Sequence, residues 1–106
     1  MPERVLVTGA TGFVGSHAAE AFVRAGHEVR LAARASSDLR WISTLDAERV
    51  PLDVRGDPQD ISRAVRRVDT IVHAAGITRA RRASNYHAVN ADGTRRLAAA
   101  ALRAGV

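Results

Sequence analysis

The sequence predicts an α/β domain: a doubly wound parallel sheet of about four strands with flanking helices. Three observations predict it. Short β-branched runs alternate with stretches of helical apolar period, a glycine-rich segment joins the first strand-like run to the first helix-like one, and no repeat, linker or internal boundary interrupts the 106 residues. Such alternation implies parallel pairing, because parallel strands need crossover connections, almost always right-handed.

Val5-Leu6-Val7 reads as a fully buried central strand, closed by Thr8-Gly9. From Phe13 the period becomes helical, with Val14, Ala18, Ala21, Phe22 and Ala25 on the expected inner face and His17, Glu20 and Arg24 opposite; Gly26 ends the helix. Strand character resumes over Glu28 to Ala33. The polar loop Ala35-Ser36-Ser37-Asp38 then leads into a short segment around Leu39, Trp41 and Ile42, counted as a second helical crossover. A third strand is expected near Val50, with Pro51 suited to its end. Asp57 before Pro58 signals a helix start, since the carboxylate can cap free N–H groups and proline has none to leave unsatisfied. Ile61, Ala64, Val65 and Val68 follow at helical spacing. The fourth strand is Thr70 to Ala74, followed by a loop from Gly76 to Ala83 that carries Arg79, Arg81 and Arg82. A last helix sets Tyr86, Val89, Gly93, Leu97, Ala101 and Ala104 inward, and Gly105 closes it. The expected order is β-α-β-α-β-α-β-α.

Composition excludes several classes of function. No apolar run approaches the ~20 residues of a membrane span, and the start, Met1-Pro2-Glu3-Arg4, lacks the basic region and cleavage site of a secretory signal. The cytoplasm is therefore the expected compartment, in keeping with a chain that has no cysteine. The net charge of +5 rests entirely on arginine, as there is no lysine. These arginines are scattered and have little aromatic company, which argues against nucleic acid as a partner.

The chemistry lies in Thr8-Gly9-Ala10-Thr11-Gly12-Phe13-Val14-Gly15. Gly9 suits a tight turn, Gly12 an approach of backbone to a pyrophosphate, and Gly15 close packing of helix on sheet. The phosphates would meet the helix N-terminus, where free N–H groups and the dipole favour anions. A nucleotide-triphosphate loop of the Walker type needs a lysine, so it is excluded. At the end of the second strand, where a site for NAD usually carries an acidic residue, stands Ala33-Arg34. Arg34 can pair with a 2′-phosphate through a charge-assisted fork, with Ser36 or Ser37 adding hydroxyls, so NADP(H) is the expected cofactor and NAD the alternative.

With these residues assembled, the chain resembles the extended or closely related atypical short-chain dehydrogenase/reductases, the NAD-dependent epimerase/dehydratase family, over essentially its whole length. The likeness rests on T-G-A-T-G-F-V-G, on Asp53-Val54 after the third strand, on His73-Ala74-Ala75-Gly76 after the fourth, and on Val89-Asn90-Ala91-Asp92-Gly93-Thr94 in the last helix. The resemblance implies a Rossmann-type fold. It also implies that Gly9, Thr11, Gly12, Phe13, Val14 and Gly15 line the phosphates, that Asp53 and Val54 flank the adenine, that Ala74, Ala75 and Gly76 run past the nicotinamide-side ribose, and that Asn90 lies near the cofactor and braces its helix. Arg34 with Ser36-Ser37-Asp38-Leu39 looks more like the dihydroflavonol-reductase-type and sugar-epimerase-like branches that use NADP. His73 reads as a packed strand-end histidine, because no second metal ligand stands at a useful spacing.

Enzymes of this resemblance use a serine or threonine and a Tyr-x-x-x-Lys dyad, which lie beyond a fifth strand. Tyr86, the sole tyrosine, is followed four positions later by Asn90, and no lysine exists. No catalytic residue is therefore assigned, and residues 1–106 are expected to be a dinucleotide-binding domain that stops before the fifth strand and the substrate region. A carbonyl, hydroxyl or sugar-like substrate belongs to a longer parent, a non-catalytic sensor or assembly module is the alternative, and a homo-oligomer stays open. A half-sheet with an unpaired edge is expected to be marginally stable or self-associating.

Overall fold

In a computed structural model, residues 2–34, 39–74 and 87–106 are described, the side chains of 87–89 excepted. The strands are β1 (Arg4–Thr8), β2 (Glu28–Ala33), β3 (Glu48–Pro51) and β4 (Thr70–His73). The helices are α1 (Phe13–Arg24), α2 (Pro58–Ala64) and α3 (Gly93–Ala104), the last continuing from a π-helical segment, His87–Asp92. Among the described residues all strand pairings are parallel, in the order β3-β2-β1-β4. The chain steps outward from β1 to β2 and β3, then returns to the other side of β1 for β4. The crevice between the ends of β1 and β4 is thus the topological switch point of the sheet.

Burial follows strand parity. Leu6 and Ala32 face one layer, packing with Leu52, Val54, Ile61, Ala64, Val65, Val68, Leu97 and Ala100 from α2, α3 and their flanks. Val5, Val7, Val29 and Leu31 face the other, against Ala10, Ala19 and Ile42. Each large side chain so buried contributes roughly 1.5–3 kcal/mol. The fully buried Val5-Leu6-Val7 run is what a central parallel strand covered on both faces requires.

Three expectations are corrected. Between β2 and β3 the described residues 39–47 form turns, Ile42 N–H to Leu39 O and Leu45 N–H to Ile42 O, instead of a crossover helix. Ile42 still closes that face of the sheet, so a buried plug does the covering a helix was expected to do. In α1 the buried stripe is Gly15, Ser16 and Ala19, while Val14, Ala21 and Ala25 are exposed. The small residues lie directly against the sheet, while Phe22, on the expected face, and Val23 are partly buried and pack at the margin of the same core. In α3, Gly93, Leu97 and Ala100 are buried and Ala104 is exposed. Tyr86 lies outside the described residues.

The termini of the elements follow local chemistry. The Asp57 carboxylate accepts the Gln59 N–H at 2.8 Å with Pro58 in the first turn. At the far end of α2, Arg30 from β2 donates through Nη1 to the Ala64 and Arg66 carbonyls at 2.7 and 2.8 Å, while its Nε pairs with Glu48 at 3.0 Å. A cation against a helix C-terminus is favoured by the helix dipole. Gly105, left-handed at φ 79°, ends α3, and the Val106 N–H returns to Ala101 O at 3.0 Å.

Candidate functional site

The glycine loop connects β1 to α1 at the switch point. Gly9 sits at φ 64°, where a side chain is disfavoured, and its carbonyl accepts the Gly12 N–H at 3.0 Å to close the turn. A Cβ on Gly15 would collide with the Gly9 carbonyl, so this glycine is required by the protein itself. Gly12 differs: a Cβ there would meet Gly9 O at 3.4 Å, an ordinary contact, and the residue is exposed. Among the described residues nothing demands a glycine at that position. The space beside Gly12 is therefore open to a ligand.

Gly12 also caps α1 without a side-chain acceptor, and the first turn carries no acidic residue. Among the described residues nothing compensates the leading N–H groups at the positive end of the helix, which fits an anionic group. Phe13 and Val14 are 79% and 69% exposed at this mouth. Phe13 is steadied by His17, whose Nδ1 donates to Phe13 O at 2.7 Å and whose ring lies 4.5 Å from the phenyl. Thr11, half-buried, completes the loop. A dinucleotide pyrophosphate fits these features.

The other predicted positions surround the same end of the sheet. Arg34 directly follows β2, is exposed, and makes no hydrogen bond or ion pair with the described residues. Ser36 and Ser37 lie outside the described residues. Asp53 is half-buried after β3; its carboxylate accepts the Arg55 N–H at 2.9 Å and its carbonyl the Gly56 N–H at 2.8 Å. Val54 is only 6% exposed and packs in the core, so it offers a ligand little beyond its backbone. Ala74, just past β4, donates its N–H to Thr8 O at 3.3 Å, whereas Ala75 and Gly76 lie outside the described residues. Asn90 is exposed in the π-helical segment.

His73 is more than a packed histidine. Its Nδ1 lies 2.6 Å from Thr8 Oγ1 and its Nε2 lies 3.0 Å from Thr94 Oγ1, and the Thr94 hydroxyl donates to Asn90 O at 2.7 Å. Sequence reasoning missed both threonines. It is the strand register that pairs the first of them with His73, as the last residues of adjacent parallel strands. Burial lowers the His73 pKa and favours the neutral ring. Among the described residues no three His, Cys, Asp or Glu side chains gather to hold a metal, and no helix is long and apolar enough to cross a membrane.

Comparison with known proteins agrees with this geometry. The sequence pattern of the NAD dependent epimerase/dehydratase family matches residues 5–106. A ceramide reductase of Caulobacter vibrioides is 35% identical over 101 residues, covering 95% of this chain and 32% of the relative. Among solved structures, the UDP-glucose 4-epimerase of Thermus thermophilus in complex with NAD superposes with a TM-score of 0.85 at 28% identity, covering 97% of this chain and 35% of that one. A variant of uronate dehydrogenase from Agrobacterium tumefaciens, complexed with NAD, gives a TM-score of 0.80 at 28% identity, covering 99% and 38%. The chain spans about a third of the length of the curated relatives it matches.

Proposed function

Since the chain belongs to the NAD dependent epimerase/dehydratase family, we propose that it is the dinucleotide-binding part of an oxidoreductase, epimerase or dehydratase and that its dinucleotide is NADP(H). The observation that carries the binding reading is the contrast within the loop. Gly15 is forced by packing, while Gly12 is left open beside an uncapped helix N-terminus. The loop N–H groups would hold the pyrophosphate, Asp53 and the Val54 backbone would border the adenine, and Ala74 to Gly76 with Asn90 would border the nicotinamide-side ribose. When bound, the nicotinamide supplies reversible two-electron redox chemistry.

The choice of NADP rests on Arg34, an exposed guanidinium at the end of β2 with no partner among the described residues. NAD is the second reading, favoured by the NAD complexes of two structural neighbours. Binding without turnover is the expectation for these 106 residues, which contain no lysine and no Tyr-x-x-x-Lys. A carbonyl, hydroxyl or sugar-like substrate is proposed for the longer protein. Calorimetric titration decides the cofactor: NADPH should bind about tenfold or more tightly than NADH, and Arg34→Ala should erase that preference while sparing NADH. Equal affinities that Arg34→Ala leaves unmoved would overturn the NADP assignment.

A further inference from the structure

The four groups Thr8, His73, Thr94 and Asn90 form one continuous hydrogen-bonded chain, and its direction can be worked out. The Asn90 carbonyl can only accept, so the single hydroxyl proton of Thr94 is committed to it at 2.7 Å. Thr94 Oγ1 must therefore accept from His73, which places a proton on Nε2. In the neutral ring Nδ1 is then a lone-pair acceptor, filled by the Thr8 hydroxyl at 2.6 Å. The order runs Thr8 O–H to His73 Nδ1, His73 Nε2–H to Thr94 Oγ1, Thr94 O–H to Asn90 O.

The two ends of this chain belong to different parts of the proposed binding site. Thr8 is the last residue of β1 and is covalently followed by Gly9, whose left-handed turn opens the glycine loop. Asn90 lies in the π-helical segment that leads into α3. No described strand pairing joins that segment to β1, and His73 spans the switch-point crevice between them. Resting on the dinucleotide reading above, we propose that His73 is a positioning residue that couples the glycine loop to the Asn90 segment, so that a dinucleotide seated on the loop also fixes residues 87–94. His73 touches no ligand in this role. It sets the relative placement of two segments that do.

The test uses the wild-type chain, His73→Phe, His73→Gln and Thr94→Val, with NADH and NADPH as titrants. Phenylalanine keeps the ring and loses both hydrogen bonds, while glutamine keeps one acceptor and one N–H donor. Binding should weaken about tenfold in His73→Phe and Thr94→Val, and His73→Gln should restore most of it. The two losses should also be less than additive when combined, since both cut one chain. In the wild type, nitrogen-15 spectra should show the Nε2–H tautomer, and dinucleotide should shift the amide signals of residues 87–94 as well as those of the loop. Folded variants that bind as tightly as wild type would overturn the coupling alone, as would unmoved 87–94 signals if the variants do not fold. A wild-type chain that binds neither dinucleotide would overturn the dinucleotide reading and the coupling together.

Discussion

Of Gly12 and Gly15, only the second is required by contacts among the described residues. A Cβ on Gly15 has no room against the Gly9 carbonyl, and that carbonyl already holds the Gly12 N–H. Gly15→Ala should therefore push α1 off the sheet and cost roughly 1–3 kcal/mol, read as a lowered melting temperature. Gly12→Ala should behave in the opposite way. Stability should stay within about 0.5 kcal/mol of wild type, while dinucleotide affinity falls more than about tenfold, because the new methyl occupies the path of the pyrophosphate. A Gly12→Ala chain that binds NADPH and NADH normally would show that nothing approaches the loop at that point.

At the scale of elements, α2 was the most readable piece. Asp57-Pro58 announced its start, and the carboxylate does cap the Gln59 N–H; Asp57→Ala should cost about 1 kcal/mol in a thermal melt. Ile61, Ala64, Val65 and Val68 are all buried, although the helix ends at Ala64 and the last two pack from beyond it. The faces of α1 and α3 were harder to read, for a physical reason. Apolar periodicity ranks Val14 and Ala21 above Gly15 and Ser16, but a helix pressed onto a parallel sheet buries its smallest residues, and Val14 is left at the ligand mouth. The segment around Ile42 reads as a helix and forms turns, because one buried isoleucine carries no period to tell the two apart. The site was legible where the glycine loop carried it. The His73 chain was not, because its members come from β1, β4 and α3, and only strand register brings them together.

For the molecule as a whole, the two borders of the sheet are unequal. β3 is mostly exposed but is blunted by Glu48, Arg49 and the terminal Pro51, all of which discourage further pairing. β4, Thr70-Ile71-Val72-His73, has neither a charged residue nor a proline, is half-buried throughout, and pairs only with β1 among the described strands. A border of that kind accepts another strand readily. Size-exclusion chromatography should therefore show association that grows with protein concentration, with a broad, low thermal transition. A sharp transition from a stable monomer at high concentration would contradict this.

The π-helical turn at His87–Asp92 has a consequence for length. A wide turn holds one residue more than an α-helix needs over the same span, so the chain carries slack there. Deleting Ala91 should let the turn tighten to α-helical pitch with α3 keeping Gly93, Leu97 and Ala100 in the core, and cooperative melting should survive. Deleting Ala98 from α3 offers no such reserve: everything after it rotates by about 100°, carrying Ala100 out of the core. One stretch tolerates a change of length, and the stretch directly after it does not.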